Sequence, residues 1–426
     1  MIDAMDILVK NAVIVTQDRN RKIANGDIYI SDGRIDEIGK DIRADADIAL
    51  KSRSRLIALP GFINTHAHIA MTPLRGKVDD IELSQFLDAT SRFDSRNSYK
   101  KIYYSAVLGI LSMIRSGITH FVDFYYGEDA IAKAIEDIGY NAHLAWVTLD
   151  KDKTTQKGDP ISNAEHFIKQ YKGSGSVKPM VAVQGVYAAG KETFGAAAEL
   201  ADKYDTLTTA HVAETYFEVV QHFRKYRRTP LQWLSDIGFV NRRLIAVHCV
   251  WLSRSEIAIA AKKAGAVSYN PTSNMKLASG IAPISRLVSM GANITLGTDS
   301  VASNNSLDMF NEMKYGSLLQ KVKEGNAKVL DAQSMLDFAT VNGAKILGEG
   351  DGTIEVGKPA NIVLLNPEPN MLPVPKAGGI VKDIVYAANP GNVAATIVNG
   401  QLLYNNGFAE WIEKLRDEAL KFLARG

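Results

Sequence analysis

Both ends of this chain alternate apolar and polar residues in short runs, the pattern typical of half-buried β-strands. The segments with this texture are Asp6–Val15, Gly26–Ile38, Gly352–Leu365 and Val393–Tyr404. Turn signals at Asp32-Gly33 and Asn399-Gly400 divide two of these segments and predict hairpins. The pattern therefore predicts one small β-sandwich domain built from residues 1–56 and 349–407.

The middle of the chain has a different rhythm, in which short apolar runs alternate with longer segments of helical period. The predicted strands are Leu56–Ile63, Ile118–Asp123, Ala142–Thr148, Met180–Val186, Leu207–Val212, Leu244–Val250, Ala266–Asn270 and Ile294–Thr298. The predicted helices include Tyr99–Ser116, Ala130–Asp137, Thr193–Lys203, Phe217–Tyr226, Ser253–Ala264 and Ile284–Met290. Eight alternations predict an α/β fold, a (β/α)8 TIM-type barrel over residues 57–348. An amphipathic segment, Phe408–Leu423, predicts a closing helix within residues 408–426.

The composition excludes several classes of protein. Hydrophobic residues make up 46% and charged residues 23% of the 426 residues, which is typical of a globular protein. Because the formal net charge is only +2, neither nucleic acid nor a membrane surface is an expected partner. No apolar run approaches a membrane span, and the initial MIDAMDILVKN lacks the order of a secretory signal. Cys249 is the only cysteine, which excludes an intrachain disulfide and a CxxC site. A cytoplasmic enzyme for a small-molecule substrate fits these features, as would many binding proteins, and a homo-oligomer stays open.

Metal-binding types of side chain collect where the predicted strands end. His66 and His68 follow the first predicted barrel strand, and residues two apart in an extended strand point to the same side. His211, His248 and Asp299 each end or directly follow an apolar run. The carboxyl ends of all strands meet at one face of such a barrel, where active sites are built. Imidazole and carboxylate together are a typical ligand set for zinc or iron with an open position for water.

The other histidines lack this pattern. His166 and His222 lie in helical stretches and are expected to be solvated, whereas His120 and His143 lie in strand candidates and receive no role. Cys249 follows His248 along its strand, so we expect it to be a small buried residue.

Several segments resemble the amidohydrolase branch of S-adenosylhomocysteine/5′-methylthioadenosine deaminases, a branch that also holds triazine chlorohydrolases and guanine deaminases. The resemblance covers nearly the whole chain, including the β domain. The segments that carry it are Leu59–Gly76 (LPGFINTHAHIAMTPLRG), His211–Glu214 (HVAE), Val247–Cys249 (VHC), Asn270–Pro283 (NPTSNMKLASGIAP) and Leu296–Met313 (LGTDSVASNNSLDMFNEM).

The resemblance implies one catalytic divalent metal, usually zinc and sometimes iron, bound by His66, His68, His211 and Asp299. The fourth predicted strand, Met180–Val186, carries no lysine or glutamate that could bridge a second metal, which favours a mononuclear site. We therefore expect one tightly bound metal ion per chain.

The resemblance also implies three catalytic roles. Asp299 accepts the proton of the attacking water, His248 hydrogen-bonds the nucleophile and the developing oxyanion, and Glu214 protonates the ring nitrogen and then the departing amine. The related triazine chlorohydrolases tend to lack the pair Glu214 and His248, because chloride leaves without a proton whereas an amine needs one. The presence of the pair favours deamination.

The substrate pocket departs from the adenosine-type relatives. Their ribose-binding glutamate corresponds to Asp94 and their histidine after strand four to Gln184, so we expect Asp94 and Gln184 to contact substrate. Their arginines for the homocysteine carboxylate follow strand three, but Ala145–Asp150 supplies none. Tyr269 and Ser300 stand where histidine and glycine are common. Without a cation, a carboxylate tail loses charge-assisted hydrogen bonds, so tail-less substrates are expected to be preferred over S-adenosylhomocysteine.

The sequence thus predicts a metal-dependent hydrolytic deaminase of a purine-like or related heteroaromatic amine, with adenosine-type nucleosides among the candidates. Two alternatives stay open: a dechlorinating or amide-cleaving hydrolase on the same scaffold, and a metal-free, non-enzymatic assembly protein. The complete ligand set together with Glu214 argues against the assembly protein.

Overall fold

A computed structural model describes residues 5–52, 55–350, 352–368, 371 and 379–425. The strands are β1 Ile7–Val15, β2 Ile23–Ser31, β3 Arg34–Gly39, β4 Ile48–Leu50, β5 Ile57–Pro60, β6 Phe62–Ala67, β7 Ile118–Tyr125, β8 Ala142–Thr148, β9 Val177–Val183, β10 Thr208–Val212, β11 Leu244–His248, β12 Ala266–Tyr269, β13 Ile294–Leu296, β14 Ile362–Leu365, β15 Val393–Val398 and β16 Gln401–Asn405. The α-helices are α1 Leu83–Asp94, α2 Tyr99–Arg115, α3 Glu128–Ile138, α4 Pro160–Tyr171, α5 Lys191–Tyr204, α6 Tyr216–Tyr226, α7 Pro230–Asp236, α8 Arg254–Lys263, α9 Pro271–Lys276, α10 Ile284–Ser289, α11 Val301–Asn304, α12 Met309–Glu324, α13 Ala332–Ala339, α14 Val341–Leu347, α15 Ile380–Tyr386 and α16 Glu410–Leu423. Three 3-10 helices cover Ile69–Leu74, Lys151–Lys153 and Pro390–Asn392.

The predicted (β/α)8 barrel is confirmed. Strands β6 to β13 form one parallel sheet in chain order. The sheet closes between β13 and β6, where the Asp299 amide donates to the His66 carbonyl at 2.9 Å and the Thr65 hydroxyl donates to the Leu296 carbonyl at 3.0 Å. Two predicted site residues therefore lie directly at the closing seam.

The chain ends together form a second, mixed sheet of eight strands, in the order β16-β15-β14-β5-β1-β2-β3 with β4 beside β1. Both predicted hairpins are present. Asp32 and Gly33 have φ values of 48° and 75°, and Asn399 and Gly400 have 49° and 77°. Positive φ at both central residues is what a tight type I′ turn requires. Residues 1–4, 53, 54, 351, 369, 370 and 372–378, which we assigned to this domain, lie outside the described residues.

The predicted first barrel strand, Leu56–Ile63, is wrong because it joins two strands of different sheets. β5 pairs antiparallel with β14 in the small sheet, whereas β6 pairs parallel with β7 in the barrel. Gly61 separates them, and a Cβ atom there would lie 2.2 Å from the Thr119 side chain. No other residue fits without displacing Thr119. The chain therefore passes from one sheet into the other within a single residue.

The remaining differences concern boundaries. β9 ends at Val183, three residues before the predicted end of its strand, and β14 begins only at Ile362. The closing helix is present as α16. None of the helices in the described part of the chain is long and apolar enough to cross a membrane.

One apolar core joins the two sheets. Val13, Leu59 and Val363 of the small sheet pack in the same buried cluster as Phe62 and Ile114 of the barrel. The opposite face of the small sheet has a core of its own around Ile28 and Ile30.

Candidate active site

Four of the predicted side chains meet at the carboxyl end of the barrel. His66 belongs to β6, His68 follows it, His211 lies in β10, and Asp299 follows β13. The Nε2 atom of His66 lies 3.3 Å from that of His211 and 3.7 Å from Asp299 Oδ1, and His68 Nε2 lies 3.3 Å from the same oxygen. All but His68 are almost fully buried. The strand ends thus bring three imidazoles and one carboxylate together.

Three of the donor–donor distances suit ligands of one metal ion. Ligands about 2.1 Å from a zinc ion are separated by about 3.4 Å along a tetrahedral edge, and the three distances here are 3.3, 3.7 and 3.3 Å. His68 Nδ1 contacts the Phe124 carbonyl at 2.5 Å and His211 Nδ1 contacts the Gln184 carbonyl at 2.8 Å. A ring whose Nδ1–H donates to a carbonyl presents its Nε2 lone pair, which is how a metal-bound histidine is commonly fixed. Burial lowers the pKa of His211 to about 3, so that ring is neutral, as a ligand must be.

The contact between His68 and Asp299 also calls for a cation. When His68 is neutral, its Nε2 lone pair faces a carboxylate oxygen, so the two atoms need a proton or a metal ion between them. Burial opposes charge on both groups, yet their proximity raises the pKa of His68 and holds that of Asp299 well below its usual value. Ser273 Oγ donates to Asp299 Oδ2 at 2.7 Å and the Ser300 amide to Oδ1 at 2.6 Å. Asp299 is therefore held as an oriented anion.

Glu214 and His248 form a second pair beside these four residues. His248 Nε2 lies 3.7 Å from Glu214 Oε2 and 3.9 Å from Asp299 Oδ2. The Asn274 side-chain amide donates to His248 Nδ1 at 3.0 Å, which leaves the Nε2–H as the donor that faces the two carboxylates. Burial, followed by the charge of Asp299, raises the pKa of Glu214 to about 7. A carboxyl group with that pKa can give and take a proton near neutral pH.

Left-handed backbone at the strand ends directs these side chains. Ala213, His248 and Asp299 have φ values of 49°, 71° and 61°. Such values cost energy in residues other than glycine and concentrate at functional sites, where the surrounding structure imposes them. Sequence periodicity contains no signal for this conformation.

Both predicted substrate residues line a cavity of about 220 Å³ that His68 also borders. Gln184 Nε2 donates to the Tyr187 hydroxyl at 3.0 Å, and Asp94 accepts a hydrogen bond from the Tyr125 hydroxyl. Burial raises the pKa of Asp94 to about 6. Tyr187 also lines a neighbouring cavity of about 410 Å³, which contains Glu214. Both cavities therefore adjoin the candidate centre, one at His68 and the other at Glu214.

Lys153 borders the smaller cavity, although no sequence feature predicts it there. It ends a short 3-10 helix beyond Ala145–Asp150, a stretch that contains no arginine or lysine. Its ammonium lies 3.6 Å from Asp152 and its side chain is half-exposed.

The histidines outside the site divide into three cases. His166 is exposed, as expected, whereas the expectation that His222 is solvated is wrong: it is buried, with Nδ1 2.8 Å from the Arg228 carbonyl. His120 and His143 lie near the amino ends of β7 and β8. His120 Nε2 lies 2.8 Å from His143 Nδ1, so these two ring nitrogens form a hydrogen bond with each other. Cys249 is buried, as predicted.

Several residues that orient the site were not singled out from the sequence. Ser273, Asn274 and Ser279 contact Asp299, His248 and Glu214 respectively, and all three lie in the resembling segment Asn270–Pro283. Glu218, which accepts the Glu214 amide at 2.9 Å, had a visible signal. Thr215 followed three residues later by Glu218 has the spacing of a helix capping box.

Comparison with known proteins agrees with this geometry. A model of the amidohydrolase family matches residues 57–403. The chain belongs to the amidohydrolase family. Among curated amidohydrolases, a 5-methylthioadenosine/S-adenosylhomocysteine deaminase of Thermococcus sibiricus is 37% identical over 94% of both chains. A 5′-deoxyadenosine deaminase of Methanosarcina acetivorans is 36% identical over 94% of this chain and 93% of its own.

Solved amidohydrolase structures share the fold over nearly the whole chain. An adenosine deaminase from Xanthomonas campestris with bound zinc superimposes with a TM-score of 0.91 at 27% identity, covering 99% of each chain. The atrazine chlorohydrolase of Arthrobacter aurescens, complexed with zinc, reaches 0.88 at 23% identity over 98% of this chain and all of its own. The latter likeness concerns the fold alone.

Proposed function

We propose that this protein is a metal-dependent hydrolytic deaminase of an adenosine-type nucleoside or a related purine-like amine. The observation that carries the proposal is the partly buried Glu214 carboxyl, which lies 3.7 Å from His248 and whose pKa of about 7 suits proton transfer. This pair stands directly beside the four ligand-type residues. The curated relatives, which are named as adenosine-type deaminases, support the same chemistry.

His66, His68, His211 and Asp299 would hold one divalent metal ion, with zinc as the first candidate because the related adenosine deaminase structure contains it. A metal ion in an open site of this kind supplies a water molecule whose pKa is lowered towards neutrality. The remaining chemistry belongs to side chains of this chain.

Three side chains share the proton transfers and the hydrogen bonding to the attacking oxygen. Asp299 takes the proton of the attacking water, and Ser273 and the Ser300 amide keep its carboxylate oriented. His248 donates its Nε2–H to the attacking oxygen. Glu214 gives its proton to the ring nitrogen next to the attacked carbon, then receives the proton that Asp299 took from the water and passes it to the amine. The carbon–nitrogen bond breaks with release of ammonia, and Glu214 recovers a proton from the attacking oxygen as the carbonyl forms.

The proposal is tested by an ammonia-release screen of the metal-loaded enzyme over adenosine, 5′-deoxyadenosine, 5′-methylthioadenosine, aminopyrimidines, pterins and aminotriazines, with a chlorotriazine as the competing substrate. We expect ammonia from at least one adenosine-type nucleoside. Chloride release without ammonia would favour the dechlorinating alternative. Release of neither product, from protein that retains no metal after reconstitution, would favour the assembly protein.

The length of the substrate's 5′ substituent forms the second part of the test. We propose that Asp94 and Gln184 bind the sugar or the ring edge, and that tail-less nucleosides have a higher kcat/KM than S-adenosylhomocysteine. Each charge-assisted hydrogen bond that the carboxylate tail lacks is worth about 1.5–3 kcal/mol. If S-adenosylhomocysteine is nevertheless preferred, Lys153→Met should abolish that preference, because Lys153 is the cation that borders the cavity.

A further inference from the structure

The side-chain carboxyl group of Glu218 contacts the backbone amide of Glu214. Thr215 is the N-cap of α6, and its hydroxyl accepts the Glu218 amide at 3.1 Å. The Glu218 side chain then turns back along the chain: Oε1 accepts the Ala213 amide at 3.1 Å and Oε2 the Glu214 amide at 2.9 Å. Glu218 is buried. One carboxyl group thus accepts hydrogen bonds from two consecutive amides of the segment that carries Glu214.

The backbone of this segment is strained at Ala213, so it depends on hydrogen bonds to other parts of the chain. Ala213 has a φ of 49°, a left-handed value that costs a residue with a Cβ about 1–2 kcal/mol. On its other side, the Ala213 carbonyl accepts the Trp251 amide at 2.9 Å. If Glu218 were absent, the amides of Ala213 and Glu214 would lose the only acceptor that the described residues offer them, and the strained turn would lose one of its two anchors.

Another helix of the barrel shows that this arrangement is more than ordinary capping. Glu256 occupies the same third position of α8, after the N-cap residue Ser253. Its Oε2 accepts the Ser253 amide at 2.9 Å and the Ser253 hydroxyl at 2.8 Å, so it binds only its own N-cap. Glu256 is also buried. Glu218 instead reaches past its N-cap to the site, which makes Glu256 a matched internal control.

We propose that Glu218 is a positioning residue for the reaction: it fixes the backbone of Glu214 so that the Glu214 carboxyl stays beside His248 and the substrate ring. This inference rests on the proposed deaminase function. Glu218 itself does not contact the reacting atoms, because both of its carboxyl oxygens accept hydrogen bonds from backbone amides.

The test is a double-substitution cycle on the metal-loaded enzyme. Glu218→Gln keeps the size but only one acceptor oxygen, and Glu218→Ala keeps neither, so we expect kcat to fall in the order Glu, Gln, Ala. Misplacement of a catalytic group by about 1 Å lowers the rate roughly 10²-fold, so we expect a decrease in kcat of about that size for Glu218→Ala. In a Glu214→Gln background the same changes should leave kcat unaltered, because the group being positioned can no longer transfer the proton.

Glu256→Gln supplies the control. It should lower the midpoint of thermal unfolding by an amount comparable to Glu218→Gln while kcat stays at the wild-type value. If Glu218→Gln lowers kcat equally in both backgrounds, or if Glu256→Gln lowers kcat as much, Glu218 does not act through Glu214 and the proposal is overturned. A folded Glu218→Ala variant with wild-type kcat would overturn it as well.

A readout independent of activity separates this proposal from the proposed function. Hydrogen–deuterium exchange in the peptide covering residues 212–215 should become faster in Glu218→Ala and stay unchanged in Glu256→Gln. If the wild-type protein releases no ammonia from any substrate, the deaminase assignment fails, while the exchange rates still decide whether Glu218 orders Glu214. Unchanged exchange at these amides in Glu218→Ala would reject the positioning role in either case.

Discussion

At the scale of single residues, the neighbours of each carboxyl group decide its charge. Asp299 stays anionic because His68 and two hydrogen-bond donors stabilise its charge, whereas partial burial and the charge of Asp299 raise the pKa of Glu214 to about 7. Two carboxyl groups on one barrel face therefore differ in protonation at neutral pH. Such divergence is a frequent mark of acid–base assignments in active sites.

The first prediction at this scale separates proton transfer from metal binding. Glu214→Gln preserves shape but cannot exchange protons, so kcat should fall by roughly 10²–10⁴-fold or more while metal content is unchanged. Steady-state kinetics and elemental analysis of the same preparation measure both quantities. Near wild-type activity would refute the assigned mechanism, and loss of the metal would mean that Glu214 is a ligand.

The second prediction concerns the ligands. His211→Ala removes one of four donors and leaves Gln184 without its imidazole partner, so both metal and activity should be lost. The exposed His166→Ala is the matched control and should keep about one metal ion per chain and full activity. Two tightly bound ions in the wild type, or none after reconstitution, would contradict a mononuclear centre.

At the scale of elements, the sequence was most informative where periodicity and chemistry agree. His66, His211 and Asp299 could be placed together because parallel strands of a barrel end at a common face. The change of sheet at Gly61 could not be predicted, because β5 and β6 form one continuous apolar run in the sequence. Only the close approach of Thr119 to Gly61 in the folded protein explains why the residue between the two strands is a glycine. The burial of His222 was missed for a related reason: periodicity cannot tell which face of a surface helix another helix covers.

Two glycine-to-alanine substitutions, one at a crowded position and one at an open position, test how tightly the chain is packed at Gly61. Gly61→Ala places a Cβ 2.2 Å from Thr119, so overpacking should destabilise the protein by about 1–3 kcal/mol. Gly195 lies exposed inside α5, with nothing within 4 Å of the added atom. Gly195→Ala should therefore stabilise the protein by about 0.8–1 kcal/mol, the difference in helix propensity. Urea unfolding of both variants measures the two free energies, and a neutral Gly61→Ala would show that the passage between the sheets is less tightly packed.

At the scale of the whole molecule, the shared core makes the two sheets interdependent. Leu59 is fully buried, pairs with Val363 within the small sheet, and packs in the cluster that also holds barrel residues. Chains with two domains commonly unfold in separate steps, but a continuous core favours one cooperative transition. The barrel that carries the site is thus expected to depend for its stability on strands from both chain ends.

The last prediction tests that coupling. The four tryptophans of the chain, Trp146, Trp233, Trp251 and Trp411, all lie outside the small sheet, so their fluorescence reports on the barrel and α16. Leu59→Ala leaves a cavity in the shared core and should lower the free energy of unfolding by about 2–5 kcal/mol. We expect the urea midpoint followed by tryptophan fluorescence to shift together with that followed by far-ultraviolet circular dichroism, while kcat in the absence of urea stays near the wild-type value. A tryptophan midpoint that stays in place while circular dichroism shows an earlier separate step would mean that the small sheet unfolds alone, and that the core between the sheets contributes little to the barrel.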